Sequence, residues 1–90
     1  MQVSVVIPAL NEAENIGAVV RELPWGLILE CVVADNGSTD ATAAEASAAG
    51  AKVVAVPERG YGRACAAGAA AACGDILVFM DGDEIGRAHV

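Results

Sequence analysis

Ninety residues leave room for one small domain, and twelve acidic side chains against five basic ones give a formal net charge of −7. That charge repels nucleic-acid phosphates and anionic lipid at long range, which disfavours direct nucleic-acid binding. Apolar residues make up 56% of the chain but aromatics only 3%, a balance of Ala, Val, Ile and Leu that suits helices packed on a sheet and excludes disorder.

The chain opens on Val3 to Ile7, a β-branched run with no basic leader before it, so it is read as a strand rather than a signal peptide. A helix should follow. Ile16, Val19, Val20 and Leu23 fall at i, i+3, i+4 and i+7, with Asn11 as N-cap, Glu14 three residues on as its capping-box partner, and Pro24 as the stop. Cys31 to Ala34 is the second strand. Ser38, Thr39 and Asp40 then offer caps for a helix over Ala41 to Ala49, which Gly50 ends. Val53 to Val56 is the third strand, Tyr61 to Cys73 a mostly alanine helix between Gly60 and Gly74, and Ile76 to Met80 the fourth strand. The strands are continuously apolar rather than alternating, as in a sheet covered on both faces. Four strands and three helices in strict alternation imply an α/β, Rossmann-like parallel sheet with helices on both faces.

Cys31, Cys65 and Cys73 form no C-x-x-C pair and sit in apolar surroundings, so they are expected to be buried thiols rather than zinc ligands or disulfides. Ala64 to Ala72 is too short to span a bilayer. A cytosolic protein is expected.

In an open parallel sheet ligands bind beyond the carboxyl ends of the strands, and the chain's polar residues gather there. The four strands are followed by Pro8-Ala9-Leu10-Asn11-Glu12, by Asp35-Asn36-Gly37-Ser38-Thr39-Asp40, by Pro57-Glu58-Arg59-Gly60-Tyr61-Gly62-Arg63, and by Asp81-Gly82-Asp83. Two carboxylates two residues apart at the end of a strand point to one side and repel each other. Mg²⁺ or Mn²⁺ shared with substrate phosphates would stabilise Asp81 and Asp83. A solvated acidic turn would look the same in sequence, so the position at a strand end carries the reading. Asp35 could accept hydrogen bonds from a base or ribose, or simply close an Asx-turn. Glu12 could meet a ribose, or only favour a helix N-terminus. Gly60-x-Gly62 with Arg59 and Arg63 could approach a phosphate, although a dinucleotide fingerprint belongs after the first strand, where none is present.

Together these stretches resemble the family 2 glycosyltransferases of the GT-A fold. The matching segments run from Val3 to Glu12, Val33 to Asp40, Arg59 to Ala64 and Gly74 to Asp83. Each is short, but their order and spacing are specific. The resemblance implies inverting transfer of a sugar from a UDP- or GDP-sugar, with a leaning toward the dolichol- or polyprenyl-phosphate sugar transferases and so toward a lipid phosphate acceptor at the cytoplasmic membrane face. It places Pro8, Leu10, Glu12, Asp35 and Asn36 in the nucleoside pocket, and Asp81 and Asp83 on the metal and diphosphate; Arg63, from the Gly60-x-Gly62 segment, is taken with them as a nucleotide-sugar-binding residue. Asn36 stands where the family often has a second aspartate.

Inversion needs a carboxylate base, which the family supplies downstream of the D-x-D, so no catalytic base is assigned. Residues 1–83 are therefore expected to be an incomplete nucleotide-sugar-binding portion that binds without turnover. Residues 84–90, Glu84 to Val90, resemble a translated sequencing adapter and are set aside as a non-native tail. A non-catalytic nucleotide-binding chain is the rival from another class. A haloacid-dehalogenase-like phosphatase also ends a strand in D-x-D, but its motif belongs to the first strand.

Overall fold

The computed structural model describes residues 1–82. Asp83 and the Glu84 to Val90 tail lie outside the described residues. The chain runs β1 (Val3–Ala9), α1 (Ile16–Arg21), β2 (Glu30–Asp35), α2 (Thr42–Ala48), β3 (Lys52–Ala55), α3 (Tyr61–Ala71) and β4 (Ile76–Phe79). All pairings are parallel, in the order β3-β2-β1-β4. The α/β class and the alternation expected from the sequence are both present.

Strand pleating sends successive side chains to opposite faces, and that divides the core. Val5, Ile7 and Ala9 of β1, with Cys31 and Val33 of β2, meet Ile16, Val19 and Val20 of α1 and Ala46 of α2 in one buried cluster. Burying each such aliphatic side chain contributes roughly 1.5–3 kcal/mol. On the other face Ala34, Val56 and Ala64 form a second, smaller cluster with Ala67 alongside. Small residues line α3 because that helix lies close against the sheet. A Cβ added at Gly68 would overlap Val6 Cγ1, a fully buried methyl.

The direction of chain travel reverses between β1 and β4. From β1 the chain steps outward to β2 and β3, and α3 then carries it back across the sheet to β4. Such a switch point leaves a crevice beyond the carboxyl ends of the strands.

Helix starts are where the sequence expectation fails. Asn11 is not an N-cap: its φ is 53°, and α1 begins four residues beyond Glu12, at Ile16. The Glu12 carbonyl instead accepts from the N–H groups of Asn15 and Ile16 at 3.0 and 2.8 Å, so residues 12–15 form a turn. The apolar stripe itself is as expected, with Ile16, Val19, Val20 and Leu23 all buried. Ala41 precedes α2 without a capping side chain of its own, while the Asp40 carboxylate accepts from the Thr42 N–H at 3.0 Å. The cysteines divide. Cys31 is buried and its thiol pKa is pushed up to about 12, by loss of solvent first and the Glu30 charge second. Cys65 is half-buried and Cys73 exposed, because α3 ends at Ala71 before its last turn can cover Cys73.

At the opposite edge of the sheet, the Glu30 carboxylate ties three segments together. It accepts from the Ser4 hydroxyl at 2.7 Å and from the Cys73 N–H, and Ser4 Oγ in turn accepts from the Gly74 N–H at 2.8 Å. These bonds favour the ionised form, so the Glu30 carboxyl is held below its usual range, chiefly by the Cys73 N–H and then by Ser4.

Two outcomes follow for stability. A lowered native pKa stabilises the fold above the unfolded-state value of about 4.3 and loses that contribution as pH falls through the native value. The stability difference between the native chain and Glu30→Gln, measured by urea denaturation, should hold steady above about pH 5.5 and shrink through the acid range; a pH-independent difference would refute the charge assignment. Gly68→Ala gains about 1 kcal/mol of helix propensity but incurs an overpacking penalty of about 1–3 kcal/mol against β-branched Val6. Its melting temperature should drop, whereas Gly62→Ala, with open space around the added carbon, should not lower it.

Candidate nucleotide-sugar and metal site

Beyond the carboxyl ends of the strands lies a cavity of about 340 Å³. Pro8, Ala9 and Leu10 at the end of β1 form one wall, Asn36 the floor beyond β2, and Arg59, Gly60, Tyr61 and Ala64 the wall at the start of α3. Of the residues singled out in the sequence, Pro8, Leu10 and Asn36 therefore come together. The wall is mostly apolar, with a few polar groups, as a nucleoside site requires.

The remaining sequence-derived residues stand around it. Asp35 Oδ1 accepts from the Ser38 N–H at 3.2 Å, the Asx-turn reading of that residue. Its backbone also closes the β3 ladder through Val56 N–H at 2.8 Å. Glu12 lies beside the end of β4, where a Cβ added at Gly82 would come within 3.4 Å of Glu12 Cγ. The loops after β1 and β4 thus meet on one edge. Asp81 follows β4, and the Tyr61 hydroxyl stands 3.5 Å from its Oδ1. Loss of solvent first, then the neighbouring Cys65 and Asp81, raise the Tyr61 pKa.

Arg63 does not line the cavity. It points along the surface to Glu58, at 3.0 Å, with the two side chains 61% and 74% exposed, a pair that contributes little. Arg59 takes the place on the cavity wall. Four residues apart on a loop running into a helix, the two arginines face different ways, and nothing in the sequence ranks one over the other.

Loop backbone at the end of a sheet has lost its ladder partners and needs others. The segment between β2 and α2 supplies them. Asn11 N–H donates to Ser38 Oγ at 2.9 Å, Glu12 N–H to Thr42 Oγ1 at 2.9 Å, and Ala13 N–H to Asp40 Oδ2 at 3.2 Å. In return Asn11 Oδ1 accepts from the Thr39 N–H at 2.8 Å. Thr42 is fully buried and its hydroxyl also donates to Asp40. That hydroxyl first, with the N–H groups of Thr42 and Ala13, holds the Asp40 carboxyl below its usual value. Asn36 does for the third loop what these residues do for the first. Its Nδ2 donates to the Val56 and Glu58 carbonyls at 3.0 and 2.8 Å, and its Oδ1 accepts from the Gly60 N–H at 3.0 Å. Sequence reasoning took Ser38, Thr39 and Asp40 for helix caps and passed over Thr42. Partners 27 to 30 residues away in the chain leave no local signal.

The model of the family described as "Glycosyl transferase family 2" matches residues 4–86. The chain belongs to this family. Among curated relatives, the glucosyl-3-phosphoglycerate synthase of Mycolicibacterium smegmatis is 47% identical over 92% of this chain and 31% of that protein. An uncharacterized glycosyltransferase of Mycobacterium tuberculosis is 46% identical over 90% of this chain and 36% of its own length. The chain spans about a third of the length of the curated relatives it matches. The solved structure of glucosyl-3-phosphoglycerate synthase from M. tuberculosis with Mn²⁺, UDP-glucose and phosphoglyceric acid superposes with a TM-score of 0.81 at 42% identity, covering 90% of this chain and 33% of that one. The same enzyme with Mg²⁺ and UDP gives a TM-score of 0.84 at 42% identity, over 93% of this chain and 34% of that one. The four-stranded sheet is thus the kind found in GT-A glycosyltransferases, and the phosphatase rival falls away. No helix among the described residues is long and apolar enough to cross a membrane.

Thr42→Val keeps the shape of the side chain but removes the hydroxyl, and with it the bonds to the Glu12 N–H and to Asp40. A loss of about 1–2 kcal/mol is expected for these part-buried bonds, read by urea denaturation. Ser47→Ala on the exposed side of α2 should stay within about 0.5 kcal/mol of the native chain; equal effects would remove the special role given to Thr42.

Proposed function

We propose that this chain carries the donor-binding portion of a UDP-glucose-dependent glycosyltransferase, with the cavity behind Pro8, Leu10 and Asn36 taking the uridine. The cavity's position carries the reading: it opens beyond the carboxyl ends of β1 and β2, beside Asp81 at the end of β4. Relatives 42% identical that have been solved with UDP-glucose or UDP support uridine over guanosine.

In this reading Pro8 and Leu10 give the base an apolar face, and Asp35 and Glu12 stand within the same strand-end cluster to receive ribose hydroxyls. Arg59 is the nearer of the two arginines for the diphosphate, which transfers to it the part first given to Arg63. A divalent cation, Mg²⁺ or Mn²⁺, fits the donor set. Such a cation is commonly held by one or two carboxylates and completed by phosphate oxygens. Asp81 would hold it, with Asp83 as its partner carboxylate. When bound, such an ion neutralises the charge that builds on the departing diphosphate.

For the acceptor, the family resemblance leaned toward a polyprenyl phosphate. The relatives whose names state a product make glucosyl-3-phosphoglycerate, and we adopt a small phosphorylated hydroxy acid as the acceptor class. The residues assigned here serve the donor and the cation. None is assigned as the base that takes the acceptor proton.

Calorimetry tests the proposal. UDP should bind the chain in the presence of Mn²⁺ and lose affinity when the ion is chelated. Asp81→Ala should weaken binding by about tenfold or more. Binding of equal strength without metal, or untouched by Asp81→Ala, would overturn the metal assignment, and tighter binding of GDP than UDP would overturn the choice of base.

A further inference from the structure

We infer that Asn36 is a positioning residue: its carboxamide holds the loop between β3 and α3 in the shape that closes the donor cavity, a task an aspartate at the same place cannot perform at neutral pH. The inference rests on the reading of that cavity as the UDP-sugar site.

The loop in question leaves β3 at Val56 and enters α3 after Gly60, and it has no ladder or helical partners between these points. One side chain satisfies three of its backbone groups. The Asn36 Nδ2 protons go to the Val56 and Glu58 carbonyls, and Oδ1 takes the Gly60 N–H. The chemistry of the partners decides which way the amide points, because carbonyls only accept and a backbone N–H only donates. Asn36 is 6% exposed, so water does not replace these bonds. Gly60 sits at a φ of 142°, a conformation open to glycine, and the Asn36 bond to its N–H helps hold that turn. The loop's contribution to the cavity wall is Arg59 and Gly60, followed by Tyr61 at the start of α3. Asn36 therefore acts on the donor mainly through the residues it holds.

An ionised aspartate would keep an acceptor for Gly60 but turn a second carboxylate oxygen toward two carbonyl oxygens now 2.8 and 3.0 Å from Nδ2. Charge against carbonyl dipoles opens the loop; a protonated carboxyl returns one donated bond. The loop in an Asn36→Asp chain is thereby made sensitive to the titration of this side chain, whereas the native carboxamide does not titrate.

The experiment compares the native chain, Asn36→Asp and Asn36→Leu at pH 7.5 and pH 5, using UDP with Mn²⁺ as the probe and amide hydrogen exchange at Gly60 as the second readout. Each variant's affinity is taken relative to the native chain at the same pH. Asn36→Asp should bind UDP about tenfold more weakly at pH 7.5, with lowered Gly60 protection, and regain both at pH 5. Asn36→Leu should be weak and unprotected at both. Native-like binding and protection in Asn36→Asp at pH 7.5, or a loss that pH 5 does not reverse, overturns the inference. The native chain gives a check free of any folding defect: its Asn36 side-chain amide protons should be protected from exchange and close to residues 56–60 by nuclear Overhauser effects. A freely exchanging, averaged amide there overturns the inference too. If UDP fails to bind even the native chain, the donor reading falls while Gly60 protection still decides the role of Asn36.

Discussion

The structure depends on a hydrogen-bonding problem at the carboxyl ends of its parallel strands. A parallel ladder satisfies the backbone only as far as the strands run, and here three loops leave the sheet side by side with unpaired N–H and C=O groups. The segment from Asn36 to Thr42 resolves this in both directions. Ser38, Asp40 and Thr42 take three consecutive N–H groups of the loop after β1, while Asn36 binds two carbonyls and one N–H of the loop after β3. These two loops, with the end of β1 and the first turn of α3, wall the cavity. Their spacing is set by the short polar side chains between them.

This arrangement gives the β2–α2 segment two kinds of work at one place. Asp35 closes its own turn through Ser38 while remaining part of the strand-end cluster. Asn36 lines the cavity yet has its polar atoms committed to backbone partners. Side chains locked in this way are pre-organised, so little ordering is left for a ligand to bring about. The opposite edge of the sheet shows the same physics: Glu30 and Ser4 hold the Cys73–Gly74 turn that feeds β4. That anchor fixes where β4 starts, and its register against β1 then sets where Asp81 emerges.

Two features of the packing serve the site. The face carrying α1 and α2 is built from branched aliphatic residues and is the thicker core, whereas α3 lies close on the other face over Gly68 and alanines. Close approach brings the first turn of α3, with Tyr61 and Ala64, against the end of β1. A bulkier α3 would stand further off and widen the cavity. The alanine content that reads in sequence as mere helix propensity is thus also a spacing device.

What the sequence determined by itself is the part that local chemistry governs. Continuous apolar runs gave the strands to within a residue or two, the stripe from Ile16 to Leu23 gave the first helix its buried face, and strict alternation gave a parallel sheet with its chemistry on one edge. The matching segments from Val3 to Asp83 also carried the family. Tertiary structure alone decided the roles of individual polar residues. Asn11 has every local mark of a helix cap, but a bond to Ser38 and a turn at residues 12–15 place it in the left-handed region instead. Arg59 and Arg63 are equivalent in sequence and separate only when α3 turns one toward the cavity and the other toward Glu58. Asn36 is placed in the nucleoside pocket by resemblance, and only folding brings the distant carbonyls of Val56 and Glu58 to its amide. The physical reason is common to all three: a side chain's apolar face follows from periodicity along the chain, whereas a polar side chain goes to whichever unsatisfied backbone group folding brings near, and that group can lie 20 to 30 residues away.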